Sequence, residues 1–292
     1  LHRFRHSFPT RRSSDLSAYV DGSLRHSASA ATNGLVQISG IELNNCSDTL
    51  HLGSIRARLD VLQDNARISL ESDYLNASYE GSSSPAQALR DIQALTTRKQ
   101  LPVLYKDAVE DTRTSGTTYA IHLDLHNPYD IVSMLKPSLY VSDSTYADIN
   151  VDANGLLSGK ISSPRIAFNG NYLKNARIDF DNYDCLNAGI SGESLYLGGI
   201  VMSSPALTAY VQNNGFNIQL HYDTLEGIGG YGELYVDGEL SRDKTGQLVV
   251  KANPLDSYVS IDNNVWEFNE SEIIVAGKDI KIDNFVVSSG FQ

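Results

Sequence analysis

"TYADINVDANG", residues 145–155, sets Thr145, Ala147, Ile149, Val151 and Ala153 on one side and Tyr146, Asp148, Asn150, Asp152 and Asn154 on the other. Successive side chains of a pleated strand point to opposite faces, so this spelling predicts a β-strand with one apolar and one wet face. The same period of two recurs along the chain. "ARIDFD" opposes Ala176, Ile178 and Phe180 to Arg177, Asp179 and Asp181. "GFNIQLHYD" opposes Phe216, Ile218, Leu220 and Tyr222 to Asn217, Gln219, His221 and Asp223. "GELYVDGEL" opposes Leu234, Val236 and Leu240 to Glu233, Tyr235, Asp237 and Glu239. Earlier copies are "ARISLE" and "YAIHLDLH"; later ones are "QLVVKA", with Leu248 and Val250, and "KDIKID", with Ile280 and Ile282.

Turn chemistry separates these runs: Asn33-Gly34, Asn154-Gly155, Asn169-Gly170-Asn171, Asn213-Asn214-Gly215 and Asp243-Lys244-Thr245-Gly246. Asn, Asp and Gly tolerate the positive φ that tight hairpins need. Short strands joined this way predict an all-β, elongated antiparallel meander. Two stretches break it. "SSPAQALRDIQALTTRKQ" offers Ser84 as N-cap, Pro85 at the first helical position and an apolar stripe of Ala88, Leu89, Ile92 and Leu95. It predicts a helix near 84–99. "NPYDIVSMLKP" predicts a shorter helical turn near 128–136, and both are expected to cap apolar surface that the sheet leaves open.

The chain has 292 residues and a formal charge of −12. Its first sixteen residues run against that balance, with Arg3, Arg5, Arg11 and Arg12 against Asp15. The peptide Phe8–Leu16, "FPTRRSSDL", resembles a translation of a common short-read sequencing adapter, so residues 1–16 read as a non-native tail. Residues 17–292 then form a single elongated unit, 19 basic against 34 acidic residues. A body that acidic is a poor ligand for nucleic acid, whose affinity comes from neutralising cations. No run approaches the roughly 18 apolar residues of a membrane-spanning helix. Cys46 and Cys185 allow one bridge or none.

Catalytic and cofactor signatures fail on context. "GIGGYG" (Gly227, Gly229, Gly232) has the letters of a dinucleotide loop, but an alternating strand follows where a helix is required, so glycines at a close-packed sheet bend are expected. Asp148, Asn150 and Asp152 have calcium-loop spacing, yet Ala153 and Gly159 stand where a calcium loop needs Gly and Glu. His122 and His126 are four apart, a spacing that serves zinc on a helix but not on a strand. The sequons at Asn45, Asn76 and Asn269 are short enough to arise by chance. No nucleophile elbow, phosphate loop or isolated acid/base pair appears, and the chain reads as no enzyme, without metal or cofactor.

Residues 228–292 carry a family likeness: a "G-x-L" strand, "SYVSI" at 257–261, the only tryptophan, Trp266, in "NNVWEF", then "IIVAGKDIKIDNF" at 273–285 and the closing "SSGFQ". This segment resembles the TamB subfamily of AsmA-like proteins, the translocation and assembly module of Gram-negative envelopes. Residues 17–227 share only the style of short strands and Asn/Gly turns. The resemblance implies a β-sheet curled into an open U-shaped groove, in a periplasmic protein anchored in the inner membrane. It also implies phospholipid acyl chains as cargo, an outer-membrane barrel of the Omp85 type as partner, and a part in outer-membrane protein assembly and secretion. The groove lining is then expected at Ile149, Val151, Ile178, Phe180, Ile218, Leu220, Leu234, Val236, Leu248, Val250, Ile280 and Ile282. Alternation alone favours a closed sandwich or barrel core over a groove, and a surface adhesin or glycan-binding module is the competing function.

Overall fold

The computed structural model describes the chain except residues 1–3, 10–14, 27–30, 45–48, 52, 63–64, 106–115, 130–131, 134–135, 137, 224–230, 262–263 and 290–292. Strands dominate. The first eight are β1 (Phe4–Pro9), β2 (Asp15–His26), β3 (Ala31–Asn44), β4 (Thr49–His51), β5 (Ser54–Leu62), β6 (Asn65–Ser72), β7 (Leu75–Gly81) and β8 (Tyr119–Leu125). Then come β9 (Leu139–Val141), β10 (Thr145–Val151), β11 (Leu157–Phe168), β12 (Asn171–Asp181), β13 (Leu186–Ser191), β14 (Ser194–Leu197), β15 (Ile200–Gln212) and β16 (Gly215–Asp223). The last are β17 (Gly232–Arg242), β18 (Leu248–Pro254), β19 (Ser257–Ile261), β20 (Asn264–Phe268), β21 (Glu272–Ala276), β22 (Asp279–Asp283) and β23 (Val287–Ser289).

All belong to one antiparallel sheet in which each strand pairs mainly with its neighbours in sequence, the meander expected from the turns. Residues 4–9, inside the basic amino-terminal stretch, pair with 15–20. The sheet forks at β17, which pairs with both β18 and β19. One branch runs through β18, β21 and β22, the other through β19, β20 and β23.

Expected turns and observed ones differ at two places. β10 stops at Val151, so Ala153 lies in a turn and not on the strand's apolar side. Asp152 ends the strand because its Oδ1 accepts the Asn154 and Leu156 backbone N–H groups, each at 2.8 Å. The Leu156 N–H is the chief cause of a carboxyl pKa held below its usual value. Asn33-Gly34 makes no turn and sits inside β3. A Cβ on Gly34 would lie 3.0 Å from Leu24 Cδ1, so the glycine leaves room for a neighbour on the next strand.

The expected first helix is present as α1 (Pro85–Gln93), continued by a π-helical turn at Ala94–Arg98. Ser84 caps it, its side chain accepting the Gln87 N–H, and Pro85 follows at the first position. Ala88, Ile92 and Leu95 face the sheet, but Leu89 does not: it is 64% exposed, while Asp91 is buried beside them and accepts from Gln87 Nε2 at 2.7 Å. Leu89 is one residue, about 100°, around the helix from Ala88. At 128–136, Val132 N–H donates to Pro128 O and Lys136 N–H to Val132 O, which is helical spacing, with residues 130–131 and 134–135 outside the described ones.

Among the described residues every strand belongs to this one sheet and only α1 and short helical turns lie outside it, so no second layer runs along it. The surface is 18,535 Å², against roughly 12,000 Å² for a compact monomer of this mass. Among the described residues only ten apolar side chains are buried. Eight of them gather in two places, with Ile41 and Ala176 apart. Under α1 lie Tyr79, Tyr119, Val151 and Leu157 with Ala88; at the fork lie Met202, Tyr222 and Val259.

Leu157 is fully buried beneath α1, so Leu157→Ala is expected to lower unfolding free energy by about 2–4 kcal/mol in urea titrations. Leu89→Ala should stay within about 0.5 kcal/mol of the parent. Asp152→Ala should lower the melting temperature at neutral pH. A depressed folded pKa stabilises above the unfolded value, near 3.8, so the difference between the proteins should narrow as pH falls through the folded one.

Candidate functional site

Directly opposed residues of neighbouring strands share a face, so the register traces rows of side chains across the sheet. One row runs Leu24–Gly34–Leu59–Ile68–Tyr79–Ile121–Ile149 from β2 to β10. It continues as Gly159–Phe180–Ala188–Ala209–Ile218–Val236 to β17. A second row, one pleat away, runs Ala147–Ile161–Ile178–Ile190–Leu207–Leu220–Leu234. Past the fork, Leu240 opposes Val250, Val250 opposes Val275, and Val275 opposes Ile280. Gly238, Ala252, Ile273 and Ile282 form the parallel series. By this register all twelve lining residues expected from the sequence share one face of the sheet.

Their surroundings differ. Val151 is 3% exposed and is sealed beneath α1, and Ile149 and Phe180 pack on the same cluster. Val151 is thus covered by α1, while Ile149 and Phe180 are half-buried. Ile178, Ile218, Leu220, Leu234, Val236, Leu248 and Val250 are half-buried. Ile280 and Ile282, near the end of a branch, are 66% and 53% exposed. At the other end, an apolar hollow of about 390 Å³ opens between Leu24, Gly34, Val36, Ala57, Leu59 and Ile68.

The sequence reading missed Ile161, Ile190 and Leu207, which fill the middle row. β11 hides its own pattern: Gly159 stands at an apolar position because the Phe180 ring lies across it, 2.1 Å from where a Cβ would be. Gly238 is overlaid by Phe216 in the same manner. Only the pairing of a glycine with an aromatic on the next strand could have signalled this.

A crease crosses the sheet. Ser144, Asn175 and Ser204 have positive φ, at 60°, 47° and 46°. Pro164 stands opposite Asn175 in the β11–β12 register, and the register between β15 and β16 shifts between Ser203 and Ala206. β9 and β10 pair with different halves of β11, as β13 and β14 do with β12. Beyond this line the alternation slips by one. Leu195 and Met202, opposed in register, pack with Leu220, Leu234 and Tyr222 on the apolar side. Their neighbours Tyr196 and Ser194 therefore point to the other side.

α1 and the turns after it form a strap over the apolar face. Asn214 N–H donates to Gln100 O, Val103 N–H to Asn214 Oδ1 at 2.9 Å, and Arg242 Nε to Val103 O at 3.0 Å. The strap thus joins the β7–β8 region to the ends of β16 and β17.

The polar face is a mesh of exposed pairs such as Arg67–Glu80 at 2.8 Å and His122–Asp148 at 2.6 Å. His126 faces Asp124 and Asn76, apart from His122. Asp148 and Asp152 are engaged separately, and no metal-binding group of three ligands occurs among the described residues. Gly232 opens β17 at a close-packed position, with the Tyr222 ring and Tyr258 O 2.8 Å from where a Cβ would stand; Gly227 and Gly229 lie outside the described residues. Cys185 carries a free thiol, and Cys46 lies outside the described residues. No helix among the described residues is long and apolar enough to cross a membrane.

Comparison with family models, curated proteins and solved structures finds no match.

A wetted apolar face makes a quantitative forecast. Ile178→Asp is expected to cost about 1–2 kcal/mol in chemical denaturation, where a sealed interior position would cost 4 or more. Arg177→Asp, on the opposite side, should cost less than about 0.5 kcal/mol.

Proposed function

We propose that the chain is a section of a TamB-like, AsmA-related protein that shields phospholipid acyl chains along its apolar face. The observation that carries this reading is the row from Leu24 to Val236: apolar or glycine at every strand, yet half-buried over most of its length with no second layer to cover it. A soluble sheet that leaves so much apolar area wet has kept it for something other than its own core. The likeness of residues 228–292 to the family supports the same assignment.

The energetics suit carriage better than capture. Burying a methylene is worth about 0.8 kcal/mol, so a 16-carbon chain costs on the order of 12 kcal/mol to hold in water. Ile178, Ile190, Leu207, Leu220 and Leu234 would remove much of that cost by contact alone. They offer no polar anchor that would arrest a chain at one point. The strap interrupts the face above Ile149 and Phe180, so a lipid passing there would have to displace α1. In this reading the sheet curls into a groove that the remainder of the protein prolongs. The whole is periplasmic, anchored in the inner membrane, and hands lipid toward an outer-membrane barrel of the Omp85 type, in support of outer-membrane protein assembly. No catalytic role is assigned.

The test is phospholipid recovered with the purified chain, quantified by mass spectrometry after solvent extraction. The parent is expected to carry it, and the variant with Ile178, Ile190, Leu207 and Leu220 changed to Asp is expected to carry little while keeping its far-ultraviolet β spectrum. A folded variant that still carries the parent's amount would remove the reading.

A further inference from the structure

We infer that the side of the sheet opposite the apolar face carries, beyond the crease, a binding strip for an acidic polysaccharide. The strip rests on its own observations and stands whether or not the lipid reading does. Arg165 on β11 and Lys174 on β12 are direct cross-strand partners. Like charges opposed in this way destabilise a sheet. Both side chains are exposed, and among the described residues neither has a carboxylate within 4.0 Å. Arg177, on the same side across the crease, is likewise without an acidic partner among the described residues. The acid next to Lys174 in the register, Glu193, accepts from Asn175 Nδ2 instead. In a chain of net charge −12, a cluster of cations kept apart from carboxylates is a local rule broken at a cost. Such breaks mark functional surface.

Aromatic rings hold the cations in place. The Arg165 guanidinium lies 4.6 Å from the Tyr172 ring centre and 5.7 Å from that of Tyr140. Tyr172 stacks on Tyr196 at 5.3 Å with 12° between planes, and Lys174 Nζ lies 6.0 Å from Tyr172. Tyr129 extends the group, 5.9 Å from Tyr140. The result is a column of Tyr196, Tyr172, Arg165 and Tyr140 across neighbouring strands, with the serines Ser194 and Ser203 opposed to each other alongside.

The chemistry selects the ligand. Guanidinium and ammonium groups only donate, and they match carboxylate oxygens; phenol and serine hydroxyls both donate and accept, and they match sugar hydroxyls. A sugar chain bearing spaced carboxylates supplies both. A DNA strand supplies only acceptors on its backbone and has no run of sugar hydroxyls to donate to the phenol and serine oxygens. A lipid surface would need apolar side chains to insert, and this side of the column shows tyrosines and cations.

Calorimetric titration of the full chain with polygalacturonate oligomers at low salt provides the test. Saturable binding that weakens as salt rises is expected. Lys174→Glu, which turns the opposed pair into an ion pair with Arg165, should weaken binding about tenfold or more while leaving the melting temperature equal or higher. Tyr196→Phe, which keeps the ring and removes one hydroxyl, should weaken it severalfold. The inference is overturned if the parent fails to bind, or if Lys174→Glu binds as the parent does. Equal binding of neutral maltohexaose overturns it as well. So does preferential binding of phosphatidylglycerol vesicles or oligothymidylate, or self-association of the chain through this side.

Discussion

Everything in this molecule depends on the backbone ladder. A sheet with no second layer cannot draw its stability from a deep core, so each strand is held by hydrogen bonds to the strand before and the strand after, with apolar cross-strand contacts on one side. That arrangement tolerates glycine at apolar positions where an aromatic leans over from the next strand, as Phe180 does at Gly159 and Phe216 at Gly238. It also explains why burial is concentrated under α1 and at the fork, where something other than the sheet supplies a second surface.

Much of this was legible in the residues. Alternation placed the strands around Ile149, Ile178, Ile218 and Val236, and it put their apolar members on a common side before any register was known. Ser84 and Pro85 announced the start of α1 by chemistry that acts within one turn. What could not be read was anything set by a neighbour. Leu89 looked like part of a stripe, but the helix rolls so that Asp91 is buried and Leu89 is wet. Asn33-Gly34 spelled a turn, but Leu24 on the adjacent strand claims the space that a side chain would fill. The covering of Val151 by α1 joins segments about sixty residues apart, and no local pattern encodes it.

The crease was the largest feature hidden from a linear reading. Three non-glycine residues in left-handed conformation and one proline, scattered from 144 to 204, align only after the strands pair. Each alone resembles a minor defect. Together they invert which residues face the apolar side, and they separate a tier of charged pairs from a tier of tyrosines and unpaired cations. The polar face is therefore two surfaces of different chemistry, although its composition reads as uniformly hydrophilic.

The strap imposes an order on assembly. The meander can be laid down hairpin by hairpin as the chain emerges, because every strand finds its partner close behind it. The seat for Gln100 and Val103 is different: it is built by Asn214 and Arg242, residues made more than a hundred positions later. Closing so long a loop carries an entropic cost that grows with its length. During synthesis the turns that carry Gln100 and Val103 must wait for these residues, whereas α1 can settle earlier on Tyr79, Tyr119, Val151 and Leu157.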